Sequence, residues 1–178
     1  MNYIKYFFIL FIICMNLGAT LFSEQDGFGQ GTLIKINNNY ERIENIKPGQ
    51  LITCYDFKNN NNTTCKVIAT SKNNIHRSIQ ITLENIIINA AFDQKFYIPY
   101  LNLWITAYEL YKSKELQQFF PSKIIETKVI LEEANVYTLT IETNHNFYVT
   151  THDILAHNFV PVFVGVAYVI GSGAATMF

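Results

Sequence analysis

Three residues near the C-terminal end of the chain carry chemistry that can be read from residue type alone: His145, His157 and Asn158. The side-chain amide of an asparagine lies a few bonds from its own carbonyl carbon. Attack there closes a five-membered succinimide and expels the nitrogen of the next residue, which here is Phe159. Because the reaction is intramolecular, its effective molarity is high. The amide is nevertheless a weak nucleophile, and the leaving amine needs a proton. An imidazole can move that proton, since its ordinary pKa lies near neutrality. His157 is adjacent to Asn158 in sequence, and His145 is expected to reach the same carbonyl from a preceding strand. A His-Asn dipeptide taken alone is most often structural, so the surrounding pattern must decide.

The elements that would position these residues read as short strands. Val136 to Glu142 alternates apolar and polar side chains, and Asn146 to Val149 follows. Upstream, the runs Thr32 to Ile36, Thr64 to Thr70, Ser78 to Leu83, Ile86 to Ala90, Lys95 to Pro99 and Lys123 to Leu131 are rich in β-branched and aromatic residues, as half-buried pleated surfaces prefer. Asn37-Asn38-Asn39 and Lys47-Pro48-Gly49-Gln50 are turns; in the second, proline presets one dihedral and glycine supplies a left-handed position. Leu103 to Leu110 is expected to close with a short helical turn. Many short strands with frequent turns predict an all-β fold of sandwich or barrel-like form.

The C-terminal pattern is Val136-Tyr137-x-Leu139-x-Ile141-Glu142-x-x-His145-Asn146-Phe147, followed about ten residues later by Ile154-Leu155-Ala156-His157-Asn158. Together with Gly27-Phe28-Gly29-Gln30-Gly31-Thr32-Leu33-Ile34, it resembles the blocks of Hint (hedgehog/intein) domains. The best likeness is to the pre-toxin type of bacterial polymorphic toxins and to bacterial intein-like proteins. The resemblance runs from Gly27 to Asn158. Its middle is carried by Ile43-x-x-Ile46-Lys47-Pro48-Gly49-Gln50 and by Phe96-Tyr97-Ile98 leading to Trp104-Ile105-Thr106-Ala107-x-Glu109-Leu110. It implies a compact Hint fold over residues 27–158 whose substrate is its own polypeptide: self-processing at most, with no turnover of other substrates. His145, His157 and Asn158 are the site residues it implies.

Four departures from the Hint pattern bear on the chemistry. Hint domains begin with a cysteine or serine that takes over its own preceding peptide bond; this chain has Gly27, which cannot attack. The Thr-x-x-His that polarises that bond aligns with Ala91-Phe92-Asp93-Gln94, which lacks both the hydroxyl and the imidazole. Thr138 stands where many inteins carry an acidic or thiol residue. Phe159 stands where splicing needs Cys, Ser or Thr. N-terminal acyl shift and splicing are therefore not expected. Cleavage after Asn158 stays open, as do a catalytically silent exported scaffold and a remnant of a polymorphic toxin.

The chain has 178 residues, enough for one domain with a core, and a formal net charge of −1, which gives no electrostatic footprint for nucleic acid. Residues 1–23 read as a secretory signal helix: Lys5, then the apolar run Tyr6 to Ile13, then small residues at Gly18, Ala19, Thr20 and Ser23. An exported protein is expected: secreted, periplasmic or in the cell envelope. In that setting Cys54 and Cys65 are either a disulfide or two free thiols. They flank Lys58 to Thr63, a polar tract expected to be a hairpin loop. Residues 159–178 form an uncharged apolar tail with three readings: a membrane segment, the remnant of a downstream domain, or a buried strand. His76 sits beside Arg77 in a polar stretch, and the histidine and cysteine spacing matches no metal site. No cofactor is implied, and the identity of any protein partner is left open.

Overall fold

The computed structural model describes residues 26–158. The signal helix expected over 1–23 and the apolar tail over 159–178 lie outside them. Thirteen strands run in the order β1 (Phe28–Gly29), β2 (Leu33–Ile36), β3 (Asn39–Arg42), β4 (Leu51–Asp56), β5 (Asn61–Ile75), β6 (Ser78–Leu83), β7 (Ile87–Ala90), β8 (Lys95–Ile98), β9 (Leu103–Thr106), β10 (Ile124–Ile130), β11 (Ala134–Ile141), β12 (Asn146–Val149) and β13 (Ile154–His157). Two short helices, α1 (Ala107–Lys112) and α2 (Lys114–Gln118), sit between β9 and β10. The strands form two antiparallel sheets. One has the order β10-β6-β7-β1-β11-β5-β4, and the other β3-β2-β12-β13-β8-β9. The all-β fold expected from the sequence is the one observed.

Alternation in the sequence becomes alternation in burial. Within β11, Leu139 and Ile141 enter the main core, while Val136, in a smaller cluster with Ile75 and Ala91, and Thr138 are buried on the other face. In β12 and β13, Phe147, Val149, Ile154 and Ala156 are fully buried. The interior is joined by aromatic edges: the Phe28 ring meets Phe96 at 5.8 Å and Phe147 at 6.2 Å, both in edge-on geometry. Each such pair adds about 0.5–1.5 kcal/mol beyond the area it buries. Phe28 comes from the first strand, Phe96 from the middle of the chain and Phe147 from near its end. This aromatic centre therefore draws both ends of the domain to one place.

Three sequence-based boundaries change. β5 extends well beyond Thr64 to Thr70, because its polar residues face solvent while its backbone pairs with two partners in turn. Its first part pairs with β4, from Asp56 opposite Asn61 to Leu51 opposite Lys66. Its second part pairs with β11, from Ile141 opposite Val67 to Ala134 opposite Ile75. The expected hairpin loop over Lys58 to Thr63 contracts accordingly, since Asn61, Asn62 and Thr63 join the strand. Cys54 and Cys65 are disulfide-bonded across this hairpin with their α-carbons 5.9 Å apart. The expected helical turn after β9 is α1, started by a reciprocal cap between Thr106 and Glu109. A second helix follows without a break: Ser113 ends α1 and caps α2 by accepting from the Leu116 amide. The expected turn at Lys47 to Gln50 is present, with Gly49 at φ +89°.

Candidate active site

The site is built where β1 enters the sheet. Phe28 lies opposite Tyr137 of β11 on one side and Ala90 of β7 on the other. Gly27 sits just before it, and its carbonyl accepts the Ala91 N–H at 2.9 Å. Gly27 has φ +134°, which L side chains rarely adopt. A β-carbon placed there would lie 2.9 Å from the Tyr137 carbonyl oxygen and 3.0 Å from Thr138 Oγ1. The position that the sequence marks as missing its nucleophile is thus also shaped for glycine.

Gln94 connects the front of the domain to its back. The side chain is fully buried. Its Oε1 accepts the Gly27 N–H at 2.9 Å. Its Nε2 donates to the His157 carbonyl and to the Lys95 carbonyl, both at 3.1 Å. The sequence marks Gln94 as the loss of an imidazole; the structure gives it three hydrogen bonds that join residues 27 and 157. A neutral amide does this because it has an acceptor and two donors on one plane. The Gln94 backbone is fixed as well, with its carbonyl accepting the Ala107 N–H at 2.8 Å.

Asn158 follows at the end of β13, only 2% exposed. Neither polar atom of its side chain has a hydrogen-bond partner among the described residues. A buried polar group without a partner costs about 1–3 kcal/mol, and such groups call for a specific explanation. His157 is half-buried, and its Nδ1 is also buried without a partner among the described residues. Its ring packs edge-on against Trp104 at 5.3 Å. Burial pushes the His157 imidazole below its ordinary pKa, and the nearby charges of Lys95 and His145 push the same way. The ring is therefore neutral, with lone pairs available, over a wider pH range than a free histidine.

His145 is exposed and has φ +52° in the turn before β12. Its ring centroid lies 6.3 Å from that of His157. Of the three sequence-derived residues, His157 and Asn158 are brought together by chain adjacency and shared burial. His145 joins them through the His157 ring, because Asn146 pairs directly across from His157.

Several contributors were not singled out as site residues. Thr138 Oγ1 donates to the Asp26 carbonyl at 3.0 Å, so the peptide bond before Gly27 is held at its oxygen and its N–H. Asn146 is buried and clamps β4: its Oδ1 accepts the Tyr55 N–H at 2.8 Å and its Nδ2 donates to the Tyr55 carbonyl at 3.0 Å. Trp104 walls the His157 ring. Position within the Hint-like pattern pointed to Thr138; nothing in the sequence pointed to the Asn146 clamp. His152 is also paired, its Nδ1 lying 2.6 Å from Ser122 Oγ. Among the described residues, no group of three or more His, Cys, Asp or Glu side chains is placed to hold a metal ion.

No family model and no curated protein matches the sequence. Solved structures do match. A bacterial intein-like domain from Clostridium thermocellum aligns with a TM-score of 0.64 at 20% identity, covering 75% of this chain and 99% of that one. A variant of the Ssp DnaB mini-intein aligns with a TM-score of 0.60 at 14% identity, covering 79% of this chain and 98% of that one. The gp41-1 intein aligns with a TM-score of 0.55 at 19% identity, covering 75% and 99%. With two antiparallel sheets closing around a site that joins residue 27 to residue 157, this chain has the Hint fold of the inteins.

Proposed function

We propose that this Hint domain cleaves its own backbone after Asn158 and has lost N-terminal acyl shift and splicing. The observation that carries the reading is Asn158 itself: a buried amide, unpartnered among the described residues, placed directly after a neutral, half-buried imidazole. In the proposed step, Asn158 Nδ2 bonds to the Asn158 carbonyl carbon and gives up a proton to His157. The bond to the Phe159 nitrogen breaks, and that nitrogen takes up a proton. The products are a C-terminal succinimide and a tail beginning at Phe159. Burial favours this by holding the amide in one geometry and excluding competing water. His145, through its contact with His157, is the residue through which the proton is exchanged with solvent. The substrate is the domain's own chain, and the released segment is the apolar tail.

The loss of the N-terminal acyl shift rests on Gly27, which has no side chain, and on Gln94, which neither gains nor loses a proton near neutral pH. The same two residues favour a second reading, a silent exported Hint scaffold with a membrane-associating tail. Intact-mass spectrometry separates the two. The protein would carry a polar fusion after Phe178, as wild type and as Asn158→Ala. The cleavage reading expects loss of the fusion at Phe159 in wild type and none in the variant. A folded wild type that stays whole for days at neutral pH would falsify it.

A further inference from the structure

The peptide bond between Asp26 and Gly27 is held as a reacting bond would be, although residue 27 cannot attack it. Its carbonyl oxygen accepts from Thr138 Oγ1 at 3.0 Å. Its N–H donates to Gln94 Oε1 at 2.9 Å. The next carbonyl is fixed by the Ala91 N–H at 2.9 Å, so the chain cannot swing away on that side. The space where a residue-27 side chain would sit is filled by the Tyr137 carbonyl and the Thr138 hydroxyl. The nearest nucleophile along the chain is therefore on the other side of the bond. It is the Asp26 carboxyl group, one oxygen of which is buried.

We propose that Asp26 severs the Asp26–Gly27 bond through its own side chain, so that the nucleophile of this Hint domain stands one residue upstream. As the neutral acid, an Asp26 carboxyl oxygen bonds to the Asp26 carbonyl carbon. The C–N bond to Gly27 breaks, and the carboxyl proton passes to the Gly27 nitrogen. The immediate products are a five-membered cyclic anhydride at Asp26 and a free Gly27 amine. One water molecule then opens the anhydride and restores the α-carboxyl and the side-chain carboxyl. Atoms balance with one water consumed, and no oxidant or external nucleophile is needed. Ring closure is intramolecular and benefits from high effective molarity. The Thr138 hydroxyl points at the oxygen on which negative charge develops. Gln94 Oε1 keeps an acceptor in place as the amide becomes an amine. The competing reaction of an Asp-Gly pair is attack by the Gly27 nitrogen on the side chain. It is disfavoured because that nitrogen is committed to Gln94, which is not a base.

The test uses the full-length chain, refolded with its disulfide formed and incubated in water enriched in heavy oxygen. The expected result is a species beginning at Gly27 and a matching fragment ending at Asp26. The heavy oxygen in that fragment is divided between the two Asp26 carboxyls, because water can open the anhydride at either carbon. Asp26→Ala abolishes the cut. Asp26→Glu, which must close a six-membered ring, slows it on the order of tenfold. Thr138→Val slows it in a chain that still folds, and either milder variant keeps the test informative if Asp26→Ala does not fold. The proposal is overturned by a folded wild type that stays intact, by label confined to the α-carboxyl, by loss of water without chain scission, or by undiminished cleavage in Asp26→Ala. Because the cut falls at residue 26, its failure is read separately from any failure at Asn158.

Discussion

Gln94 accepts the Gly27 N–H at 2.9 Å across 67 positions of sequence, and it does so from a fully buried side chain. Position 27 has no reactive group, and the bond has a structural use, since the same side chain also donates to the His157 carbonyl.

This bridge is expected to show in stability. Gln94→Leu keeps the volume but removes every polar partner, leaving the Gly27 N–H and the His157 carbonyl without that partner. Each such buried group costs about 1–3 kcal/mol, so the variant should lose on the order of 3 kcal/mol in urea unfolding. Gln94→Glu is the sharper comparison. It retains an acceptor for Gly27 but sets a carboxylate against the carbonyls of Lys95 and His157. It should be destabilised at least as strongly as the leucine variant. A glutamate variant as stable as wild type would mean that the two donor contacts contribute nothing.

Restoring a nucleophile at position 27 should fail for a backbone reason as well as a chemical one. Gly27→Cys places a β-carbon 2.9 Å from the Tyr137 carbonyl at φ +134°. Either the backbone shifts, breaking the Gln94 contact, or the chain holds a conformation costing about 1–3 kcal/mol. The expected outcome is a lower melting temperature and no thiol-induced cleavage before residue 27. Rapid cleavage on adding thiol would show that the loop relaxes readily and that glutamine suffices where histidine is absent.

Much of the fold is legible in the sequence because it rests on short-range alternation. Leu139 and Ile141 enter the main core from β11, and Phe147 and Val149 from β12, where period-two burial places them. β5 is less legible. Residues 68–74 are exposed, and from Thr70 to Asn74 polar; what makes them strand is pairing with β11, a partner more than sixty residues away. The site divides in the same way. His157 and Asn158 are adjacent, so their association is local. The Gln94 bridge, the Thr138 contact with Asp26 and the Asn146 clamp on Tyr55 each join distant segments through one hydrogen-bonding side chain. Residue type marks none of these contacts; only their place in the Hint-like pattern points to Gln94 and Thr138.

The disulfide is expected to matter for stability more than for the site. It closes a loop with a sequence separation of 11, which in the chain-entropy account is worth about 3 kcal/mol. Cys54→Ser/Cys65→Ser should therefore unfold at lower urea concentration, with an unfolding free energy smaller by about that amount. Asn144 Nδ2 lies 3.6 Å from both sulfurs, one residue before His145. Replacing both cysteines should also loosen this turn, read as faster amide exchange at Asn144 and His145. Unchanged exchange there would confine the disulfide's influence to the hairpin.

The protonation of His157 can be read directly, because Trp104 is the only tryptophan and its ring lies 5.3 Å from the imidazole. A charged imidazolium beside an indole quenches its fluorescence. Burial, then the charges of Lys95 and His145, hold the folded-state pKa below the ordinary 6.5. The fluorescence of Trp104 should therefore fall with a midpoint below pH 6.5, and His157→Gln should abolish that step. The sign for stability follows from linkage. The unfolded chain binds this proton more tightly than the folded one, so stability decreases as pH falls through 6.5 and stops changing below the folded-state pKa. If neutral His157 takes the proton from Asn158, the acid limb of the cleavage rate should track the Trp104 titration rather than that of an ordinary histidine. A fluorescence midpoint at or above 6.5 would mean that neither the burial nor the neighbouring charges act as described, and the case for a neutral base beside Asn158 would lose its electrostatic ground.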